Sequence, residues 1–232
     1  MVNRSRHESR ESDSSRPRES DRFIVVEGPI GVGKTELARR LATHFDCTAL
    51  LEQPADNPFL ERFYRSGHSA ALPTQLFFLF QRAAQLETLK QSDLFRSMRI
   101  ADFMIAKDRL FASINLDTEE LALYEKIHEK LAIEQPAVDL VVYLQAPPDV
   151  LMSRIARRGI DYESLIDRNY LERLSDAYAR FFYEYDESPL LIVNASSIDP
   201  VHNPADFADL VGQIEATKSG RHFFNPVTRA FA

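Results

Sequence analysis

The stretch that most constrains this chain is RFIVVEGPIGVGKTELARRLATHF, residues 22 to 45. Phe23, Ile24, Val25 and Val26 make a short apolar run rich in β-branched residues, which suits a strand buried on both faces of a parallel sheet. Leu37, Ala38, Leu41 and Phe45 then recur at helical spacing. Between them, Gly28, Pro29, Ile30, Gly31, Val32, Gly33, Lys34 and Thr35 fit the pattern GxxxxGK[ST] with no insertion. Glycine takes positive φ and carries no Cβ, so successive backbone N–H groups can point into one concavity. The helix that follows brings its own unpaired N–H groups and partial positive charge to the same point. Lys34 adds a full charge able to reach β- and γ-phosphates, and Thr35 a hydroxyl suited to Mg²⁺. These eight residues are expected to cradle a nucleoside triphosphate.

The rest of the composition narrows the class. A chain of 232 residues is long enough for one large α/β domain with a sizeable core. Its formal charge of −7 argues against a general nucleic-acid scaffold. Cys47 is the one cysteine, which excludes an internal disulfide framework and a multi-cysteine zinc site and fits a reducing cytoplasm. No stretch approaches the ~18 apolar residues of a membrane span, and the N-terminus lacks the apolar core of a signal peptide. Residues 1–21 are nearly all Arg, Ser, Glu and Asp, too polar to offset their ordering entropy, and are expected to be a disordered charged tail. Residues 22–232 are expected to form the folded domain.

Further apolar runs follow at 47–54, 98–105, 139–147 and 189–195, separated by helical patterns. Strands alternating with helices predict a three-layer α/β sandwich, a five-stranded parallel sheet flanked by helices, of the P-loop NTPase type. Ligands should gather at the carboxyl ends of the strands, where Gly28, Glu52 and Ala146 fall. Residues 71–91 form a long helix too apolar for a one-sided surface helix. Asp117, with Glu120 three residues on, opens another helix like a capping box.

A guanine-binding Asn-Lys-x-Asp is absent, and the segment SRIARRG after the strand at 139–147 discriminates further. Arg154 and Arg158 share a helix face by their spacing. Two guanidiniums on one face repel unless an anion lies between them, and a transferring phosphoryl group is such an anion.

Taken with these residues, the chain resembles the deoxynucleoside kinase family, which phosphorylates deoxynucleosides at the 5′-hydroxyl. The similarity runs from Gly28 to around Glu163, and loosely to near residue 215. It implies that Glu52, in LEQP, is the general base, acting with Lys34, Arg154 and Arg158 as the catalytic set. It implies sugar contact by Tyr64, base contact by Gln75 and Arg82, and a hold on the sugar 3′-hydroxyl by Glu163. It also implies ATP with Mg²⁺, and a homodimer formed through helices. The chemistry is compatible: a sugar hydroxyl is a poor nucleophile and needs a carboxylate in hydrogen-bond reach. The Gln75 amide offers both a donor and an acceptor to a base edge.

One departure stands out. Where the family commonly carries an acid-Arg-Ser run at the end of its third strand, this chain reads Ala101-Asp102-Phe103. Asp102 is expected to assist Mg²⁺ and the substrate from a position shifted by one, and Arg109 to replace the lost cation. Lys107 falls where relatives carry a pocket aspartate that helps the base-pocket arginine, and the base preference leans to purines. Two other functions remain open: a nucleoside monophosphate kinase resembling thymidylate kinase, and a nucleotide-binding regulator without turnover.

Overall fold

The computed structural model describes residues 22–91 and 98–226; the expected charged tail, 1–21, lies outside the described residues. Strands β1 (Phe23–Glu27), β2 (Thr48–Leu50), β3 (Arg99–Ala101), β4 (Leu140–Gln145), β5 (Leu190–Asn194) and β6 (Arg221–Phe224) pair throughout in parallel, in the order β2-β3-β1-β4-β5-β6. The helices are α1 (Lys34–His44), α2 (Leu60–Ser66), α3 (Ala71–Gln91), α4 (Ala106–Asn115), α5 (Thr118–Leu131), α6 (Pro148–Arg158), α7 (Arg168–Glu184) and α8 (Pro204–Ala216).

Alternation along the strands builds two cores. Ile24, Val26, Leu140, Val142, Leu191 and Val193 face one side, packed by Leu37 and Leu41 of α1, Leu151 and Ile155 of α6, and Leu210 and Ile214 of α8. Phe23, Val25, Val141, Tyr143, Leu190 and Ile192 face the other, against Leu110 of α4 and Leu174, Tyr178 and Phe182 of α7. Every residue of β1 is buried. This is the expected three-layer sandwich, with six strands in place of five. The sixth escaped the sequence pattern because β6 is a short edge strand whose residues are mostly exposed, Phe223 at 71%.

Two strands are shorter than their apolar runs. The run at 47–54 yields only Thr48–Leu50, and that at 98–105 only Arg99–Ala101. The chain leaves the sheet early at both places, so Glu52 and Asp102 stand in loops just past the carboxyl ends of β2 and β3. The capping box forms as expected: Glu120 N donates to Asp117 Oδ1 at 2.9 Å, and the Glu120 carboxylate accepts from Asp117 N. Tyr124 of α5 packs against Ala71 and Leu79 of α3 in a third, helical cluster beside the sheet.

Candidate active site

The loop between β1 and α1 is shaped by close approach. Gly28 has φ +147° and Gly31 φ +83°. A Cβ on Gly28 would overlap the Leu144 carbonyl oxygen, and one on Gly31 would lie 2.8 Å from Ile155 Cγ1. The loop therefore presses against β4 and α6. Lys34 opens α1 and donates from Nζ to the carbonyls of Gly28 at 2.7 Å and Pro29 at 3.2 Å. Burial, then the charge of Lys107, lowers its pKa to about 8. A polyphosphate beside it would favour the charged form.

Past β2 and β3 lies a buried cluster of opposite charges. Thr35 Oγ1 donates to Asp102 Oδ2 at 2.5 Å, and Asp102 Oδ1 accepts from Glu52 N at 2.8 Å. Glu52 is gripped from two helices. Arg82 of α3 donates from Nε to Oε1 at 2.8 Å, and Lys107 of α4 from Nζ to Oε2 at 2.6 Å. Burial opposes the charge on Glu52, but Arg82 and Lys107 overcome it and hold the carboxyl down to about 2. Arg82 also pairs with Asp108, whose pKa burial pushes up to about 6. Gln75 Nε2 donates to the Asp108 carbonyl at 3.0 Å. Beneath them Glu27, at the end of β1 and 0% exposed, accepts from Gly28 N, Met104 N and Tyr178 Oη, and burial raises its pKa.

A cavity of about 170 Å³ opens onto this cluster. Ile30, Gly31, Gly33, Lys34 and Thr35 line it from the loop; Glu52, Gln75 and Arg82 from the centre; and Tyr64, Arg158 and Glu163 from the far rim. At that rim Arg158 Nε donates to Glu163 Oε2 at 2.8 Å, and the Tyr64 and Tyr162 rings stack with centroids 6.2 Å apart. Five expected residues do not line the cavity directly. Asp102 stands behind Thr35, 0% exposed, and Gly28 and Val32 lie behind the loop wall. Arg154 donates to the Val32 carbonyl at 3.0 Å and the Ala195 carbonyl at 2.7 Å, so it buttresses the loop from outside. Pro29 instead borders a wider groove of about 530 Å³ on the α7 side.

Two expectations about the third-strand region need correction. Arg109 does not replace the missing cation: it is exposed and pairs with Glu125 at 2.7 Å, on the far side of α4 from the cavity. Nor is the pocket carboxylate lost at Lys107; it is shifted by one residue. The carboxylate that pairs with Arg82 is Asp108, one residue on, and Lys107 turns to Glu52. Lys107, Asp108 and Glu27 are thus site residues that motif reasoning did not assign. The signal was present: Lys107 and Asp108 fall in phase with Leu110, Phe111 and Ala112 on a helix, and a charge inside an apolar stripe marks a paired interior group.

A parallel sheet with a phosphate loop at its centre and a carboxylate facing that loop defines a P-loop phosphotransferase. The deoxynucleoside kinase family profile matches residues 24–218. A deoxyguanosine kinase of Bacillus subtilis (strain 168) is 33% identical over 198 residues, spanning 83% of this chain and 96% of its own length. A deoxyadenosine kinase of Lactobacillus acidophilus is 28% identical, over 78% of this chain and 88% of its own. Among solved structures, a deoxyadenosine kinase from M. mycoides with bound dCMP and dCDP superposes with a TM-score of 0.73 at 23% identity, covering 84% of this chain and 99% of that one. The chain belongs to the deoxynucleoside kinase family, and is accordingly a phosphotransferase with an alcohol acceptor.

Proposed function

We propose that the protein transfers the γ-phosphoryl group of ATP to the 5′-hydroxyl of a purine deoxynucleoside, with Mg²⁺, in nucleoside salvage. The observation that carries this is Glu52: an ionised carboxylate on the same cavity as Lys34 and Thr35, with both oxygens held in place. In the step, the hydroxyl proton passes to Glu52, the O5′–P bond forms and the bond from Pγ to the bridging oxygen breaks, releasing ADP. Lys34 and the backbone amides at the start of α1 hold the donor phosphates. Arg158, on the cavity rim, suits the equatorial oxygens of the group in flight.

Thr35 and Asp102 fit the metal: a hydroxyl and a carboxylate are hard oxygen donors, and Mg²⁺ takes one or two such ligands beside substrate phosphates and water. Bound there, it would neutralise phosphate charge. No group of three or more His, Cys, Asp or Glu residues that could hold a metal is found among the described residues, in keeping with a metal carried largely by the nucleotide.

For the acceptor, Gln75 and Arg82 line the cavity where a base would lie, and offer an amide and a guanidinium to its edge. Asp108 lies behind them, paired with Arg82, its Oδ2 buried with no hydrogen-bond partner. The deoxyguanosine and deoxyadenosine kinases among the relatives support a purine. Tyr64 and Glu163 are assigned to the sugar. A monophosphate acceptor fits less well, because Arg82, on the acceptor side of the cavity, is already neutralised between Glu52 and Asp108. The one cysteine, Cys47, supports a reducing cytoplasm. No described helix is long and apolar enough to cross a membrane. A homodimer through α3 and α5 is supported by Phe80, 50% exposed, and Leu123, 48% exposed; light scattering on the purified chain tests it. The activity is tested with ATP, Mg²⁺ and the four common deoxynucleosides beside their monophosphates, with products resolved by chromatography.

A further inference from the structure

Lys107 stands in the first turn of α4, yet it is only 4% exposed. An ammonium so buried sheds its proton unless anions hold it. Here, against burial, Glu52 and then Glu27 keep it charged, above the ordinary lysine value. Its Nζ is 2.6 Å from Glu52 Oε2, while Arg82 takes Oε1. Glu52 sits in a loop beyond a three-residue strand, so its side chain takes its direction from these two contacts. Arg82 reaches only Oε1, through Nε and Nη2, so Oε2 is held by Lys107.

Lys107 also lines the cavity, and it is the nearest strong cationic influence on Lys34. Two ammonium groups facing one cavity repel until an anion comes between them. An acceptor oxygen must reach a Glu52 oxygen while facing phosphorus at Lys34, and Lys107 borders that space. We propose that Lys107 is a positioning residue of the transfer, aiming Glu52 Oε2 at the acceptor hydroxyl and adding positive charge beside the incoming phosphoryl group. This rests on the phosphotransfer reading above. Lys107 keeps its three protons throughout; the hydroxyl proton goes to Glu52.

The test is steady-state kinetics of the full chain and of Lys107→Met, Lys107→Arg and Arg109→Gln, with deoxyguanosine and ATP–Mg²⁺, beside thermal melts. Lys107→Met is expected to lower kcat by about 10²–10³-fold, as for loss of a preorganised charge contact, while the KM for ATP changes by less than about threefold. Lys107→Arg, which keeps the charge, should retain at least about a tenth of the parent kcat. Arg109→Gln should match the parent. A fall of less than about tenfold in Lys107→Met overturns the proposal. If that variant does not fold, because Glu27 and Glu52 are left facing each other, Lys107→Arg decides. Retention of about a tenth or more supports the proposal, and less, at a parent-like melting temperature, overturns it. A parent inactive on every deoxynucleoside removes the phosphotransfer reading and this proposal with it; an active parent with an indifferent Lys107→Met removes this proposal alone.

Discussion

Arg82 Nε donates to Glu52 Oε1 at 2.8 Å while the other end of the same guanidinium pairs with Asp108. One planar, five-donor group thus ties Glu52, on the cavity, to Asp108, buried behind it. On the proposed reading, a base resting on Arg82 bears on the same guanidinium that holds Glu52, so occupancy of the base site and orientation of the general base are expected to be linked.

Arg82→Lys breaks this link, because a point charge cannot fork to two carboxylates. The expected outcome is a fall in kcat/KM for the deoxynucleoside of about 10²-fold or more, with kcat and KM both worse and ATP affinity little changed. Initial rates over a matrix of both substrates check this.

Glu52→Gln keeps the shape and one acceptor but loses the base. Turnover should fall by roughly 10²–10⁴-fold, with ATP–Mg²⁺ still bound. Calorimetric titration of ATP beside the rate measurement separates lost chemistry from lost structure.

The same carboxylate carries a pH signature in stability. Its folded pKa is about 2 against an ordinary 4.5, so between those values the unfolded chain binds more protons than the folded one. The contribution is fully present above about pH 4.5 and is lost as pH falls through about 2, on the order of 3 kcal/mol in all. Asp108 works the other way: raised from 3.8 to about 6, its contribution is present below 3.8 and lost as pH rises through about 6. The stability difference between the parent and Glu52→Gln, from urea melts across pH, should be level above about pH 6, where Asp108 is ionised, and shrink as pH falls from about 4.5 towards 2.

Gly31→Ala tests how the loop is held. A Cβ there meets Ile155 Cγ1 at 2.8 Å and the Leu151 carbonyl at 3.0 Å, in a backbone of φ +83°. The strain is about 1–3 kcal/mol, and it falls on the contact between the phosphate loop and α6. A lower melting temperature and a raised KM for ATP are expected together.

The loop from Gly28 to Thr35 was legible in the sequence because its glycines and Lys34-Thr35 recur at fixed spacing between a strand and a helix. The buried strands were legible because apolar runs have few alternatives, whereas exposed β6 had no such signal. Glu52 and Asp102 were singled out by the family register at the ends of apolar runs, though the strands stop earlier than those runs. What sequence reasoning missed was pairing. Lys107, Asp108 and Arg109 are three adjacent charges on one helix, and 100° of rotation per residue sends them to Glu52, Arg82 and Glu125 respectively. Helical phase with Leu110 and Ala112 marks Lys107 and Asp108 as the inward pair; which partner each one meets is set by packing of α4 against α3 and the sheet.

The most direct test of the central claim is product formation by the purified chain with ATP–Mg²⁺ and each common deoxynucleoside, resolved by chromatography. The expected products are 5′-monophosphates, with a purine deoxynucleoside the best acceptor and Glu52→Gln nearly inert. Binding of ATP with no product from any deoxynucleoside, or product from monophosphates alone, would contradict the claim.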